Sequence, residues 1–164
     1  MNNANKKITY ISGTRADFGL MTPILRAIDK SPKLNLQVYA TGIHLMPEFG
    51  ETVRQIRKEF SGTKIIEARF ETDSRKGMAK FTGDFLSRLT KIFSKNKPDF
   101  VLTLGDRPEM LCTAMACLYL GIPTGQVHGG DKTSTVDEVA RHAITKLSHL
   151  HFPATEESAR RIEK

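Results

Sequence analysis

Short apolar runs alternate along the chain with longer segments in which apolar residues recur every three or four positions. The short runs have the length of strands, and the longer segments have the period of amphipathic helices. The helical period is clearest at Phe81, Phe85, Leu89 and Phe93. We therefore predict strands at 8–11, 34–38, 64–66, 100–104, 122–127 and 150–152, and helices at 18–28, 48–60, 78–93, 108–120, 136–146 and from 155 onward.

Six alternations of strand and helix predict an α/β protein. Strands joined by helices pair in parallel, and the helices cover both faces of the sheet, so we expect a Rossmann-like doubly wound parallel sheet. The 164 residues, 39% hydrophobic and 26% charged, suit one globular domain. Because the last predicted helix reaches the final residues, we expect residues 1–164 to be one domain of a longer protein.

Positive charge is spread along the chain rather than grouped. The formal net charge of +7 favours an anionic ligand. Domains that bind nucleic acid usually combine grouped basic residues with aromatic ones, whereas here the basic residues are scattered and Trp is absent. We therefore expect a phosphate-bearing small molecule as the ligand, and no nucleic acid.

The two cysteines, Cys112 and Cys117, lie five positions apart in one predicted helix and point to different faces, so they cannot pair there. Unpaired cysteines in an apolar helical pattern are typical of buried residues in a reducing compartment. The amino terminus lacks the apolar core of a signal peptide, and no run is long enough to span a membrane. We predict a cytoplasmic protein.

Four predicted strands end in turns rich in glycine and polar residues, at 13–15, 42–44, 105–107 and 128–131. In a parallel sheet these turns share the carboxyl edge, where ligands bind, and helix amino termini there present N–H groups to anions. A single turn of this kind could be purely structural. Four together favour a ligand site.

Two residues in these turns fit either a structural or a chemical role. Asp106 could cap the helix that begins near Pro108, or it could act as a general acid or base. Arg15 could be a surface cation, or it could contact a phosphate or carboxylate.

The fifth predicted helix carries charged pairs four residues apart, namely Asp137 with Arg141 and Glu138 with His142. Such pairs usually stabilise a helix by a few tenths, roughly 0.2–0.5 kcal/mol, and that role is as consistent with the spacing as catalysis is.

His149 and His151 lie two apart in a strand, but no third metal ligand is placed near them and no zinc-type spacing occurs. We expect packed histidines and no metal.

Four segments resemble the UDP-N-acetylglucosamine 2-epimerase family, and most closely its hydrolysing branch, which serves the synthesis of sialic-acid-type sugars. They read GTRADFGL at 13–20, TGIHL at 41–45, LGDRPE at 104–109, and the long motif from His128 to Phe152. The non-hydrolysing branch carries Pro-Glu after the first Gly-Thr-Arg, whereas this chain has Ala16-Asp17.

The resemblance implies that this chain is the amino-terminal half of a GT-B fold, with a carboxyl-terminal nucleotide-binding domain absent from it. It implies a UDP-sugar substrate and no cofactor, and we expect the full-length enzyme to be a homo-oligomer. In the implied reaction the nucleoside diphosphate leaves C1 as the C2 proton is removed, giving a 2-acetamidoglucal. Addition of water then releases an N-acetylmannosamine-type sugar and UDP.

Individual residues match the family motifs. Asp106 and Asp137 match its catalytic carboxylates, and Arg15 matches an arginine near the diphosphate. Further substrate contacts implied by the same motifs are His44, Arg107, Glu138 and Arg141.

Two positions depart from the family pattern. Position 128, often a glutamate proposed as acid or base, is His128, which is predicted to be catalytic because histidine is a common general acid or base. Position 126, commonly histidine, is Gln126, which can bond a sugar but does not exchange protons usefully. These changes suggest a different sugar, such as a diacetamido-trideoxyhexose.

Two other functions are consistent with the same sequence. The chain could be a stand-alone α/β module that binds a phosphorylated metabolite, or half of a GT-B glycosyltransferase. If the epimerase hypothesis is right, the domain alone should show little or no turnover, because half of the substrate cleft is missing.

Overall fold

The computed structural model describes residues 5–50, 52–70, 74–133 and 136–164. The strands are β1 Lys6–Ser12, β2 Leu34–Ala40, β3 Lys64–Ile65, β4 Phe100–Leu104, β5 Thr124–Val127 and β6 Leu150–Phe152. The α-helices are α1 Arg15–Asp29, α2 Val53–Glu59, α3 Arg75–Lys95, α4 Pro108–Leu120, α5 Val136–Leu147 and α6 Glu156–Ile162. Two short 3₁₀ helices, Gly42–Leu45 and Pro47–Phe49, precede α2.

The six strands form one parallel sheet in the order β3-β2-β1-β4-β5-β6. This confirms the predicted Rossmann-like doubly wound sheet. Strand β1 pairs with β2 on one side and β4 on the other, so that Tyr10 lies between Val38 and Leu102. The chain direction across the sheet reverses at this point, and in such sheets ligands bind where the order reverses.

Two apolar clusters cover the two faces of the sheet. Neighbouring residues of β1 belong to different clusters, Tyr10 to one and Ile11 to the other, as the two-residue period of a strand requires. Met21 of α1 packs with the cluster of Tyr10, and Phe85 of α3 packs with that of Ile11. Helices on both faces therefore hold the carboxyl edge of the central strands in place.

Helix α3 is longer than the predicted segment 78–93. The Ser74 side chain accepts a hydrogen bond from the Gly77 amide at 3.0 Å and caps the helix, which begins at Arg75. The four phenylalanine and leucine positions expected to face inward are buried, which confirms the period. Residues 71–73, which precede this helix, lie outside the described part of the chain.

The predicted helix 48–60 is wrong in its first half. Pro47–Phe49 forms a 3₁₀ turn that ends at Gly50, whose φ of 81° is left-handed and cannot continue an α-helix. Helix α2 begins only at Val53.

No helix within the described residues is long and apolar enough to cross a membrane.

Candidate active-site cleft

A cleft of about 240 Å³ opens at the carboxyl ends of β1, β4 and β5, where the strand order reverses. Four of the predicted site residues line it, together with two acids that sequence analysis did not assign to the site. These six are Asp17, Asp106, Arg107, His128, Asp131 and Arg141. The glycine-rich turns after three different strands and one side of α5 therefore meet at one place.

Asp106 is held in the cleft by Arg141. The Nη2 atom of Arg141 donates to Oδ2 of Asp106, and Nη1 donates to the Asp131 carbonyl at 3.1 Å. Both side chains are mostly buried. Arg107 is the residue before α4 and no side chain caps that helix, so the carboxylate of Asp106 pairs with Arg141 and does not serve as a helix cap.

Arg141 also has an unfulfilled donor. Its Nε is buried and has no hydrogen-bond partner within the part of the chain that the structure describes. Buried polar atoms without partners are rare in native proteins and often mark functional positions.

Arg107 lies on a fully buried acid, Glu109. Its Nε and Nη2 each reach a carboxylate oxygen of Glu109 at 3.2 Å, and its guanidinium lies 5.9 Å from the ring centre of Phe70. Burial raises the pKa of Glu109, and the charge of Arg107 opposes that shift. The buried carboxylate of Glu109 therefore holds the Arg107 guanidinium in place at the rim of the cleft.

Glu109 is part of the site, although it was not among the residues predicted from the sequence. A usable signal was present, since Glu109 is the one charged residue in the otherwise apolar helix α4. The carboxylate of Glu109 fills the space that side chains at positions 13 and 42 would otherwise occupy. A Cβ on Gly13 would come within 2.5 Å of Oε1, and one on Gly42 within 2.9 Å. Real Cβ atoms essentially never approach so closely, so both turns need glycine here.

Asp17 organises the turn after β1. Its carboxylate accepts from the amides of Gly13 at 3.0 Å and Thr14 at 2.6 Å, from the Tyr10 hydroxyl at 2.9 Å, and from Ser12 Oγ. Thr14 in return caps α1 by accepting from the Asp17 amide. The pair forms a capping box, which starts α1 at Arg15, three residues before the predicted start. Burial, followed by the nearby charge of Asp17, raises the pKa of Tyr10.

His44, a predicted substrate contact, lies behind the cleft and not in its lining. Its side chain is buried, with Nε2 2.8 Å from Ser12 Oγ and Nδ1 2.6 Å from Thr52 Oγ1. Because Ser12 donates to Asp17, His44 must donate to Ser12 from Nε2 and accept from Thr52 at Nδ1. Burial lowers the pKa of His44, although the charge of Asp17 opposes the shift. The neutral imidazole connects the turn after β2 to that after β1.

Gln126 is likewise buried behind the lining. Its amide nitrogen donates to the carbonyls of Gly105 and Arg141, each at 3.2 Å, and its oxygen accepts from Thr145 at 2.6 Å. It joins the turn after β4 to helix α5. This position supports the Asp106–Arg141 pair, and the amide is already occupied by protein groups.

His128 lines the cleft in a strained backbone conformation. Its φ of 59° makes it the one non-glycine residue with a left-handed backbone within the described chain. Such residues cluster at functional sites, where surrounding contacts hold them. Its Nδ1 lies 3.8 Å from Oδ2 of Asp131.

The remaining three predicted site residues, Arg15, Asp137 and Glu138, also lie outside the cleft lining. Arg15 is the first residue of α1 and is exposed, and Asp137 is exposed at the start of α5. Glu138 accepts from the Thr133 amide at 2.8 Å and lies 3.5 Å from Nε2 of His142, so this pair has the contact expected from its spacing.

Within the described residues, no group of three or more His, Cys, Asp or Glu side chains could hold a metal ion. His149 is exposed and lies just before β6, so the expectation of a packed strand position is wrong for this residue, although its ring accepts from the Thr124 amide at 3.3 Å. Cys112 and Cys117 are buried and unpaired, and burial raises the pKa of each thiol to about 12.

Known proteins resemble this chain along most of its length. It is 45% identical over 96% of its length to the UDP-N,N'-diacetylbacillosamine 2-epimerase (hydrolyzing) of Legionella pneumophila. It is 39% identical over 97% to the GDP/UDP-N,N'-diacetylbacillosamine 2-epimerase (hydrolyzing) of Campylobacter jejuni. The chain spans 42% of the length of each of these relatives.

The fold has a solved counterpart in UDP-GlcNAc 2-epimerase from Neisseria meningitidis bound to UDP-GlcNAc. The TM-score is 0.81 at 25% identity, over 96% of this chain and 42% of that one. A sequence model described as UDP-N-acetylglucosamine 2-epimerase matches residues 26–164. With this match, the parallel sheet and the cleft at its reversal point, the chain belongs to the UDP-N-acetylglucosamine 2-epimerase family.

Proposed function

We propose that this chain is the amino-terminal domain of a hydrolysing UDP-sugar 2-epimerase, the half of a GT-B fold that carries the reacting groups. The observation that carries the proposal is the convergence of Asp106, His128 and Arg141 on one cleft. The carboxylate of Asp106 and the imidazole of His128 can exchange protons with a substrate. The guanidinium of Arg141, which pairs with Asp106, can also bind a sugar diphosphate.

In the proposed reaction, a base removes the proton at C2 of the sugar while the bond between C1 and the diphosphate oxygen breaks. UDP leaves with the electron pair, and a 2-acetamidoglucal remains. Water then adds its oxygen to C1, and a proton returns to C2 on the opposite face. The products are the 2-epimeric sugar and UDP.

We assign proton transfer to Asp106, His128 and Asp137, as the family motifs imply. Asp106 and His128 line the cleft, which supports their direct contact with the sugar. Asp137 lies one helical turn before Arg141 on α5. We propose that it reaches the substrate once the second domain completes the site.

We assign diphosphate and sugar binding to the arginines. Arg107 and Arg141 line the cleft, and Arg15 opens α1, whose amino terminus adds partial positive charge at the same edge. Glu138 holds the segment before α5 through the Thr133 amide. His44 and Gln126 act on the substrate through the turns they join.

The sugar is proposed to be UDP-N,N'-diacetylbacillosamine. Two relatives at 45% and 39% identity carry that sugar in their names. His128 and Gln126 also depart from the family pattern, which supports a sugar other than N-acetylglucosamine. A relative named for polysialic acid biosynthesis, at 35% identity, supports a role in making sialic-acid-type sugars. Homo-oligomerisation and the cytoplasmic location inferred from the two unpaired cysteines stay predictions.

The test is turnover by the full-length protein that contains this domain, with release of UDP and the 2-epimeric sugar measured for two substrates. We expect kcat/KM for UDP-N,N'-diacetylbacillosamine to exceed that for UDP-N-acetylglucosamine by at least ~10-fold. Equal values would reject the sugar assignment. If neither substrate released UDP, the proposed epimerase activity would be rejected.

A further inference from the structure

The loop that carries His128 is clamped by helix α6. The Arg161 guanidinium donates to the Gly130 carbonyl at 3.1 Å. Gly130 has a φ of 79° and packs directly against the backbone of Ser158, leaving no room there for a Cβ. Ser158 itself is buried. The loop after β5 is therefore built on α6 and held from behind the cleft.

Asp131, at the end of this loop, is fixed through both its main chain and its side chain. Its carbonyl accepts from Arg141, and its Oδ1 accepts from Ser158 Oγ. The Thr155 hydroxyl lies 2.9 Å from Ser158 Oγ and can donate to it, which leaves the Ser158 proton for Asp131. The carboxylate is thereby held with its other oxygen, Oδ2, towards Nδ1 of His128 at 3.8 Å.

The other acids of the cleft have different partners. Asp106 is paired with Arg141, and Asp17 accepts bonds from the turn after β1. Among the described acids that line the cleft, Asp131 is the one in an ion-pair contact with His128. A separation of 3.8 Å is longer than a hydrogen bond, but contacts of this kind often shorten when a ligand closes the site.

We infer that Asp131, held by Ser158, is a positioning residue that orients His128 and keeps its proton on Nδ1. A carboxylate facing one ring nitrogen selects the tautomer that donates to it. The second nitrogen, Nε2, then carries the lone pair that can take a proton from a ligand. The use of this lone pair in catalysis rests on the proposed function, whereas the tautomer itself does not.

The direct test is the tautomer of His128 in the 164-residue chain, read from ¹⁵N chemical shifts at about pH 8.5, above the usual range of imidazole titration. His128→Gln identifies its signals among those of the 5 histidines. In Asp131→Asn the amide oxygen can still accept from Ser158, so the loop keeps its support while the charge facing Nδ1 is lost. We expect the ratio of the Nδ1–H to the Nε2–H tautomer to fall about tenfold, as expected when an ionised acceptor is replaced by a neutral one.

The matched control is Glu156→Gln. Glu156 is an exposed acid on the same helix, bonded to Arg160, and its replacement should leave the tautomer ratio unchanged. An Asp131→Asn chain that is folded and has the wild-type ratio would overturn the inference. So would an equal change in both variants.

The catalytic consequence is measured separately in the full-length protein. We expect Asp131→Asn to lower kcat by about 10–100-fold with little change in KM, because the ring would present the wrong nitrogen to the substrate. An unchanged kcat alongside a changed tautomer would overturn the catalytic part. A wild-type protein without turnover would reject the proposed epimerase and leave the tautomer result standing.

Discussion

Asp106 combines a charge with a fixed direction, because Arg141 holds one of its oxygens. Gln126 donates to the carbonyls of Arg141 and of Gly105, the residue before Asp106. A carboxylate held in this way loses little freedom when a substrate binds. Its side chain retains a second oxygen that Arg141 does not contact in the described structure. Replacement of the charge should therefore affect the chemistry far more than the fold.

We expect Asp106→Asn in the full-length protein to lower the rate of UDP release by at least ~100-fold, the typical contribution of a general acid or base. The amide keeps the shape of the side chain, so the circular dichroism spectrum should be unchanged. Asp84→Asn, at an exposed position on α3, is the control and should have normal activity. Normal turnover in Asp106→Asn would remove this residue from the mechanism.

His44 predicts a pH effect on stability. Because burial lowers the pKa of His44 below the usual histidine value of about 6.5, protonation favours the unfolded chain. The stability it contributes is present above about pH 6.5 and is lost as the pH falls through the lowered pKa of the folded state.

We expect the difference in unfolding free energy between the wild type and His44→Gln to shrink as the pH is lowered from about 7.5 to 5. Glutamine has no titration in this range, and other groups titrate alike in both proteins, so they cancel. Urea unfolding at several pH values measures the difference. A difference independent of pH would mean that His44 is not kept neutral by its surroundings.

At the scale of elements, the sequence predicted regular pieces well and turns poorly. Strand β4 and helix α4 have the predicted bounds, because their apolar patterns end at clear breaks at Gly105 and Gly121. The first half of the predicted helix 48–60 was wrong, since the pattern of apolar residues does not report that Gly50 adopts a left-handed backbone. Turn conformation depends on contacts that no local pattern contains.

The same reasoning explains which site residues could be predicted. Asp106 and His128 follow strands directly, so parallel topology alone brings them to one edge. Glu109 and Asp131 belong to the site because of contacts with distant parts of the chain. Glu109 lies against Gly42, and Asp131 accepts a hydrogen bond from Ser158 on helix α6. Such pairings follow from the packing of helices, which the sequence pattern does not specify.

The contact between α4 and the turn after β1 gives a prediction for Gly13→Ala. The added Cβ would meet the buried carboxylate of Glu109, which Arg107 holds in place, and we expect a loss of about 1–3 kcal/mol, as for other overpacked sites. Gly83→Ala is the control. Nothing lies within 4 Å of its Cβ position on α3, and alanine should stabilise that helix by about 0.5–1 kcal/mol. Equal effects of the two changes would argue against the close contact.

At the scale of the whole molecule, the cleft lies at the carboxyl edge of a single parallel sheet and is open to solvent. A reaction that breaks a sugar–diphosphate bond needs water to be excluded from the intermediate until the right step. Under the proposed function, the described chain supplies one wall for that purpose. The family relatives are more than twice its length.

We therefore expect the 164-residue chain alone to release UDP from UDP-N-acetylglucosamine or UDP-N,N'-diacetylbacillosamine at a rate at least ~100-fold below that of the full-length protein. Calorimetry with UDP should show weak binding, with a Kd of about 1 mM or above. Tight binding of UDP by this chain alone would favour the alternative hypothesis, that the chain is a stand-alone module that binds a phosphorylated metabolite. Brisk turnover would show that a second domain is unnecessary.

The insertion of Glu109 between Gly13 and Gly42 also constrains how this domain can evolve. The three positions share one small volume, although they are separated by up to about a hundred residues in the chain. A homologue that acquires a larger residue at position 13 must lose bulk at the acid, whereas position 42 keeps glycine even beside a shorter acid, because its φ of 59° is left-handed. Substitutions at positions 13 and 109 should therefore be inherited together, while position 42 remains glycine.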